Sequence, residues 1–201
     1  MRIISLVIFC LLAAHGMIWA QTSSDKGATA AAASVQDLPD PAAEVAQLEA
    51  SVPSPRAEDV ASIDAIVAAV YSSISGPSGA RDWNRFKSLM LPEARLTASV
   101  MDAKGRNVVR LRNVDQYIER AQSYFSTNPF YEHALVNKVQ RFGNIAHVFT
   151  SYASMKEPGG KPFDRGVNSM QLMYDGKRWW VLSILWDDER PGNRLPKSMG
   201  G

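Results

Sequence analysis

The chemistry on offer lies near the end of the chain. The stretch DGKRWWVLSILWDDERP, residues 175–191, holds Trp179, Trp180 and Trp186 and ends in Asp187, Asp188 and Glu189. If Asp175-Gly176 is a two-residue hairpin turn, each residue before it faces a defined residue after it, with side chains alternating between faces. Asp164 then faces Asp187. Two carboxyl groups buried side by side cannot both ionise, so one would be an acid beside an ionised base. At a solvated strand end the same two are ordinary surface acids. Asn168 faces Ser183 within an apolar row. A buried amide must be hydrogen-bonded, so Asn168 bonds its neighbour or turns to a ligand. Arg165 faces Trp186, and a guanidinium stacked on an indole is worth about 0.5–1 kcal/mol when exposed. Such a pair either closes a pocket mouth or pins the end of the sheet. The same register puts Trp179 on the opposite side from Trp180 and Trp186, so the three tryptophans do not form one cage.

Beyond this hairpin, His147 is the better titratable candidate of the two histidines outside the N-terminal segment, and a Gly143-Asn144 turn places it opposite Gln140. The same turn pairs Asn137 with Thr150 and Leu135 with Tyr152, and puts His133 and His147 on opposite faces. Tyr117 and Tyr124 sit on a predicted helix where they line a cavity or fill it. Asp188 and Glu189 suggest a cation site, but no third ligand is implied by spacing, and no metal or cofactor site is predicted. The catalytic candidates are therefore Asp187, Asp164 and His147. The ligand-binding candidates are Asn168, Ser183, Arg165, Trp186 and Tyr117.

These residues must be positioned by helices followed by strands. Val60, Ile63, Val67, Val70, Tyr71 and Ile74 recur at helical spacing after a Ser54-Pro55 start, and GPSG at 76–79 ends the helix. Asp82 caps a second helix carrying Trp83, Phe86 and Leu89, which stops near Pro92. Residues 94–101 and 107–112 read as strands. Asn113 and Gln116 form a capping box that opens a third helix. Strands follow at 131–142, 145–156, 164–174 and 177–187. Strands grouped after helices argue for an α+β fold with helices on one face of a mostly antiparallel sheet. Both faces of the last hairpin are largely apolar, so the face away from the helices needs a cover, for which a second copy of the chain is the expectation.

The stretches RDWNRFKSLMLPEARL, RFGNIAHVFTSYAS, PFDRGVNSMQLMYDGKRWW and ILWDDERP, in this order of elements, resemble the nuclear transport factor 2-like superfamily, SnoaL-like proteins included. They are similar to a group of secreted bacterial proteins within it. The resemblance spans residues 57–191. It implies a cone-shaped fold of three helices on a curved sheet of about six strands. The fold hosts isomerases, dehydratases, cyclases and non-catalytic modules, so function rests on the site. Where the resemblance would put the carboxylate base of an isomerase, PEARLTASVM offers Thr97, Ala98 and Ser99. A dehydratase-type histidine pair is not formed by His133 and His147.

Composition narrows the remaining choices. The 201 residues carry a formal net charge of +2, and no run of Lys and Arg marks a nucleic-acid partner. Arg2 followed by an apolar run over residues 3–19 reads as an export signal cut after Ala20. The run also matches, at its lower limit, an uncleaved anchor helix. Cleavage would leave no membrane span and no cysteine, since Cys10 is the only one. Residues 21–56 hold nine alanines, four prolines and no aromatic residue, a linker composition with a short helix near 42–50. Residues 192–201 form a tail. The sequence thus predicts a secreted or periplasmic, homodimeric module that binds a small apolar ligand or a protein without catalysis. The alternative is a cofactor-free lyase, isomerase or cyclase with an acid–base group in the cone.

Overall fold

Short polar side chains decide where the helices begin. The computed structural model describes residues 40–201; the export signal and the linker up to residue 39 lie outside the described residues. Asp40 caps α1 (Pro41–Ala50), over the stretch where a short helix is predicted. The predicted helix from Ser54-Pro55 is instead two pieces, α2 (Ala57–Val60) and α3 (Ile63–Ile74). Ser62 is the cause: its hydroxyl accepts the Ala65 N–H at 3.1 Å from an extended backbone, which starts a new helix there. Asp82 caps α4 (Trp83–Ser88), and Arg85 forks onto Asp59 at 2.7 and 2.8 Å, tying α4 to α2. Both bonds of the Asn113–Gln116 capping box form at the start of α5 (Val114–Phe125).

Six strands make one sheet: β1 (Met90–Met101), β2 (Asn107–Arg112), β3 (Tyr131–Phe142), β4 (Ile145–Met155), β5 (Asp164–Tyr174) and β6 (Trp179–Asp188). The order is β2-β1-β6-β5-β4-β3, and only the β1–β6 pair is parallel. The fold is α+β, a cone in which α3, α4 and α5 cover the inner face. Leu96, Val148, Met170, Leu172, Val181 and Ile184 are buried there against Ile66, Val70, Phe86 and Phe125. On the outer face Val109, Leu111, Phe149 and Leu185 stay exposed. The other end of that face is covered by the chain itself: Leu195 and Met199 are buried, and Arg165 donates to the Gly200 carbonyl.

Three features overturn the predicted registers. The 175–178 connection is not a two-residue turn. Asp175 accepts the N–H groups of Lys177 and Arg178, both at 2.8 Å, and the indole N–H of Trp180 at 2.6 Å. The strands therefore meet two residues later, at Tyr174 opposite Trp179. Next, β6 carries an extra residue at Leu182, between the Leu172–Val181 and Gln171–Ser183 pairs. One extra residue turns every following side chain to the other face. Asn168 thus faces Trp186 rather than Ser183, Val167 faces Asp187, and Trp186 joins Trp179 on the inner side. The predicted Asp164–Asp187 and Arg165–Trp186 pairs do not form. A matching bulge at Leu135 in β3 gives Tyr152 the partner Ala134 and puts His133, opposite Ala153, on the same face as His147. The Gly143-Asn144 turn is a two-residue one, and Gln140–His147 and Asn137–Thr150 pair as predicted.

Candidate ligand cavity

The inner face of the cone encloses a cavity of about 230 Å³. Its apolar wall is built by Val70 and Ile74 from α3, Phe86 from α4, Leu96 from β1, and Met170 and Ile184 from the sheet. Tyr117 of α5 packs between Phe86, with ring centroids 5.3 Å apart, and Trp186, whose ring meets it edge-on at 83°. Alternation along the strands turns one polar residue after another to the same side: Glu132 from β3, Tyr152 and Ser154 from β4, Asp164 and Asn168 from β5, Asp188 from β6. None of the residues lining the cavity is Lys, Arg or His.

Hydrogen bonds fix this polar side. The Ser154 hydroxyl donates to Glu132 Oε2 at 2.7 Å, and Tyr152 donates to Asp188 Oδ1 at 2.6 Å. Asp164 accepts the N–H of Arg165 at 2.9 Å. Deeper in, Asn168 Nδ2 donates to the Tyr71 hydroxyl at 3.1 Å, and Tyr71 lies 3.1 Å from Thr150 Oγ1. Asn168 is 7% exposed, and its carboxamide oxygen has no donor among the described residues. β3 is locked to the end of α3 because the Glu132 N–H donates to Ser75 Oγ at 2.9 Å.

The electrostatics follow from the packing. Burial pushes the Glu132 carboxyl up to about 8, Asp164 and Asp188 add repulsion, and the Ser154 bond only partly offsets both. Asp164 rises to about 6, through burial and the nearby Asp188. Burial also raises the Tyr117, Tyr71 and Tyr152 hydroxyls, the last further through its bond to Asp188. At neutral pH Glu132 keeps its proton in the empty cavity while Asp164 is mostly ionised. Two carboxyl groups with separated pKa values on one wall can donate and accept a proton in turn.

Of the eight residues singled out in the sequence, Asp164, Asn168, Trp186 and Tyr117 come together here. The other four do not. Asp187 is on the outer face, ion-paired to Arg190. His147 is there too, with Nε2 at 2.9 Å from Ser169 Oγ. Arg165 pairs with Glu189 at 3.6 Å, and Ser183 lies opposite Gln171 and Arg95. Sequence reasoning missed Glu132, Tyr152 and Ser154 as site residues, and placed Asp188 no further than an incomplete cation site. The two bulges conceal the faces of Glu132 and Asp188, while Tyr152 and Ser154 lie on β4, which pairs with β5 without a shift. Among the described residues no group of three His, Cys, Asp or Glu side chains is arranged to hold a metal ion.

Comparison with solved structures places this architecture. The chain is similar to a protein of unknown function with a cystatin-like fold from Nostoc punctiforme, at 8% identity over 63% of this chain and 88% of that one, with a TM-score of 0.50. It is also similar to a nuclear transport factor 2-like protein of unknown function from Silicibacter pomeroyi, at 12% identity over 64% and 94%, with a TM-score of 0.46. A third is a protein of that superfamily from Salmonella enterica, at 14% identity over 61% and 84%, with a TM-score of 0.44. The likeness to the first of these, at a TM-score of 0.50, is to a cystatin-like fold. No protein-family model matches the chain, and no curated protein matches it in sequence. At such identities the likeness is one of fold, and one fold carries many chemistries. The function of this chain therefore rests on its own cavity.

Proposed function

We propose that the protein binds one small, largely apolar molecule in the cone cavity. The observation that carries this reading is the cavity itself: about 230 Å³, lined by aromatic and aliphatic side chains together with a fixed set of polar groups. Small-molecule sites typically run to roughly 300–1,000 Å³ and combine apolar walls with a few convergent polar groups. This one, at about 230 Å³, falls below that range, so its ligand is small. Export through residues 1–20 belongs to the same reading and is supported by Arg2 and the apolar run after it. The test is thermal stabilisation by a set of small aromatic and aliphatic compounds, on the wild type and on Ile184→Trp. The reading requires a stabilising compound whose effect is lost when the new indole fills the cavity. Equal shifts in both proteins would place binding elsewhere.

A second reading is favoured by one observation, the separated pKa values of Glu132 and Asp164. In an isomerase, lyase or cyclase Glu132 would supply the proton and Asp164 would remove one. Glu132→Gln then abolishes turnover while ligand still binds.

A homodimer through the outer sheet face also belongs to the proposal. It is supported by Val109, Leu111, Phe149 and Leu185, all exposed on that one face.

A further inference from the structure

The cavity gathers three carboxyl groups that no ion pair offsets. Asp59, Asp82, Asp102, Asp187 and Glu189 each have an arginine within ion-pair distance. Glu132, Asp164 and Asp188 have no Lys, Arg or His partner among the described residues. They come from three different strands, and all three line one cavity without a basic side chain. Their hydrogen-bond donors are neutral: a serine, a tyrosine and a backbone N–H. Burying several carboxyl groups together is costly unless a cation or a proton offsets them.

The strands' polar side also spends most of its donors within the protein. The Ser154 hydroxyl is spent on Glu132, the Tyr152 hydroxyl on Asp188 and the Asn168 N–H on Tyr71. The atoms left open there are the second oxygens of the three carboxyl groups, with Glu132 protonated in the empty cavity, the second N–H of Asn168, and its amide oxygen, on a residue more than nine-tenths buried. A ligand suited to this side brings N–H donors and positive charge. Beside it, Trp186, the strand partner of Asn168, and Tyr117 of α5 stand nearly perpendicular, with their ring centroids 6.2 Å apart. Aromatic faces attract a cation, by about 0.5–1 kcal/mol or more once it is desolvated.

We propose that the cavity takes a protonated organic amine, its ammonium group among Glu132, Asp164, Asp188 and Asn168 and its apolar body against Phe86, Tyr117 and Trp186. This rests on the small-ligand reading above and names the ligand's chemical class. The ammonium takes the place of the proton that Glu132 holds in the empty cavity, so binding releases a proton near neutral pH. The groups facing Glu132 are Asp164, Asp188 and the hydroxyls of Tyr71, Tyr152, Ser154 and Tyr117, and none carries positive charge.

Isothermal titration with benzylammonium, benzyl alcohol and benzoate tests this, each run at pH 7 in two buffers of different ionisation enthalpy. The expected result is one benzylammonium per chain, at least tenfold tighter than benzyl alcohol, with proton release and no benzoate binding. Affinity for the amine rises from pH 6 to pH 8, as Glu132 ionises more readily. Glu132→Gln and Asp164→Asn each reduce the preference for amine over alcohol several-fold, and the buffer comparison on the wild type holds the test even if a variant fails to fold. Alcohol binding as tightly as the amine, or benzoate binding better, overturns the amine assignment and leaves the small-ligand reading standing. No heat from any of the three, with no stabilisation by the wider compound set, overturns both.

Discussion

Tyr152 reaches Asp188 across a residue that has no side chain. The two lie on β4 and β6, and Gly166 of β5 stands between them as the Cα partner of both. A Cβ at Gly166 would sit 2.5 Å from the tyrosine hydroxyl and 2.5 Å from the Asp187 carbonyl oxygen. Gly166→Ala should therefore move Tyr152 off Asp188 and destabilise the fold by about 1–3 kcal/mol, the usual cost of overpacking. Urea unfolding measures the loss. Adding Tyr152→Phe should recover only part of it, because the backbone contact with Asp187 remains.

Stability should fall as pH rises from about 4.5 to about 8. Glu132 has a folded pKa near 8 against an ordinary value of 4.5. Within that window the folded chain holds a proton that the unfolded chain has released. Its contribution is complete below the unfolded value and is lost as pH passes the folded one. The slope is at most about 1.4 kcal/mol per pH unit for one group. Asp164, rising from 3.8 to about 6, adds to it in the lower part of the window. Chemical unfolding at pH 5, 6.5 and 8 should show the decline for the wild type and a flatter profile for Glu132→Gln.

The Asn168–Tyr71–Thr150 chain pins the cavity floor to α3. Tyr71→Phe removes the middle member and leaves Asn168 and Thr150 buried, each without that partner. A cost of about 1–3 kcal/mol is expected for such a loss. Asn168→Leu paired with Tyr71→Phe should cost less than the two single losses added together, which a double-mutant cycle in urea resolves.

The outer face should mediate self-association. Leu185→Asp and Val109→Asp place a charge in the middle of the exposed apolar surface. Sedimentation should show a dimer for the wild type and a monomer for either variant, with thermal stability little changed because both sites are exposed.

The order of elements and most strand boundaries were legible because turns and caps are written in local residue types. Asn113 with Gln116 and Gly143 with Asn144 each specify their structure within four residues. The pairing of the last two strands was not legible for the same reason in reverse: Asp175 uses its side chain to widen a turn that Asp-Gly alone would keep at two residues. The bulges at Leu182 and Leu135 leave no local mark, since leucine fits a strand and a bulge equally. Each reverses a strand's faces beyond it. That is how Asp164 and Asn168 could be found as candidates while Glu132 and Asp188, which share their face, were not, and why Asp187 was set opposite Asp164 in place of Val167.

Native mass spectrometry of the wild type with benzylammonium, alongside Ile184→Trp, tests most directly whether the cone cavity is a binding site. One adduct per chain is predicted for the wild type at pH 8, weaker at pH 6, and absent when tryptophan fills the cavity. An adduct of equal strength in both proteins, or none in either, would contradict the account.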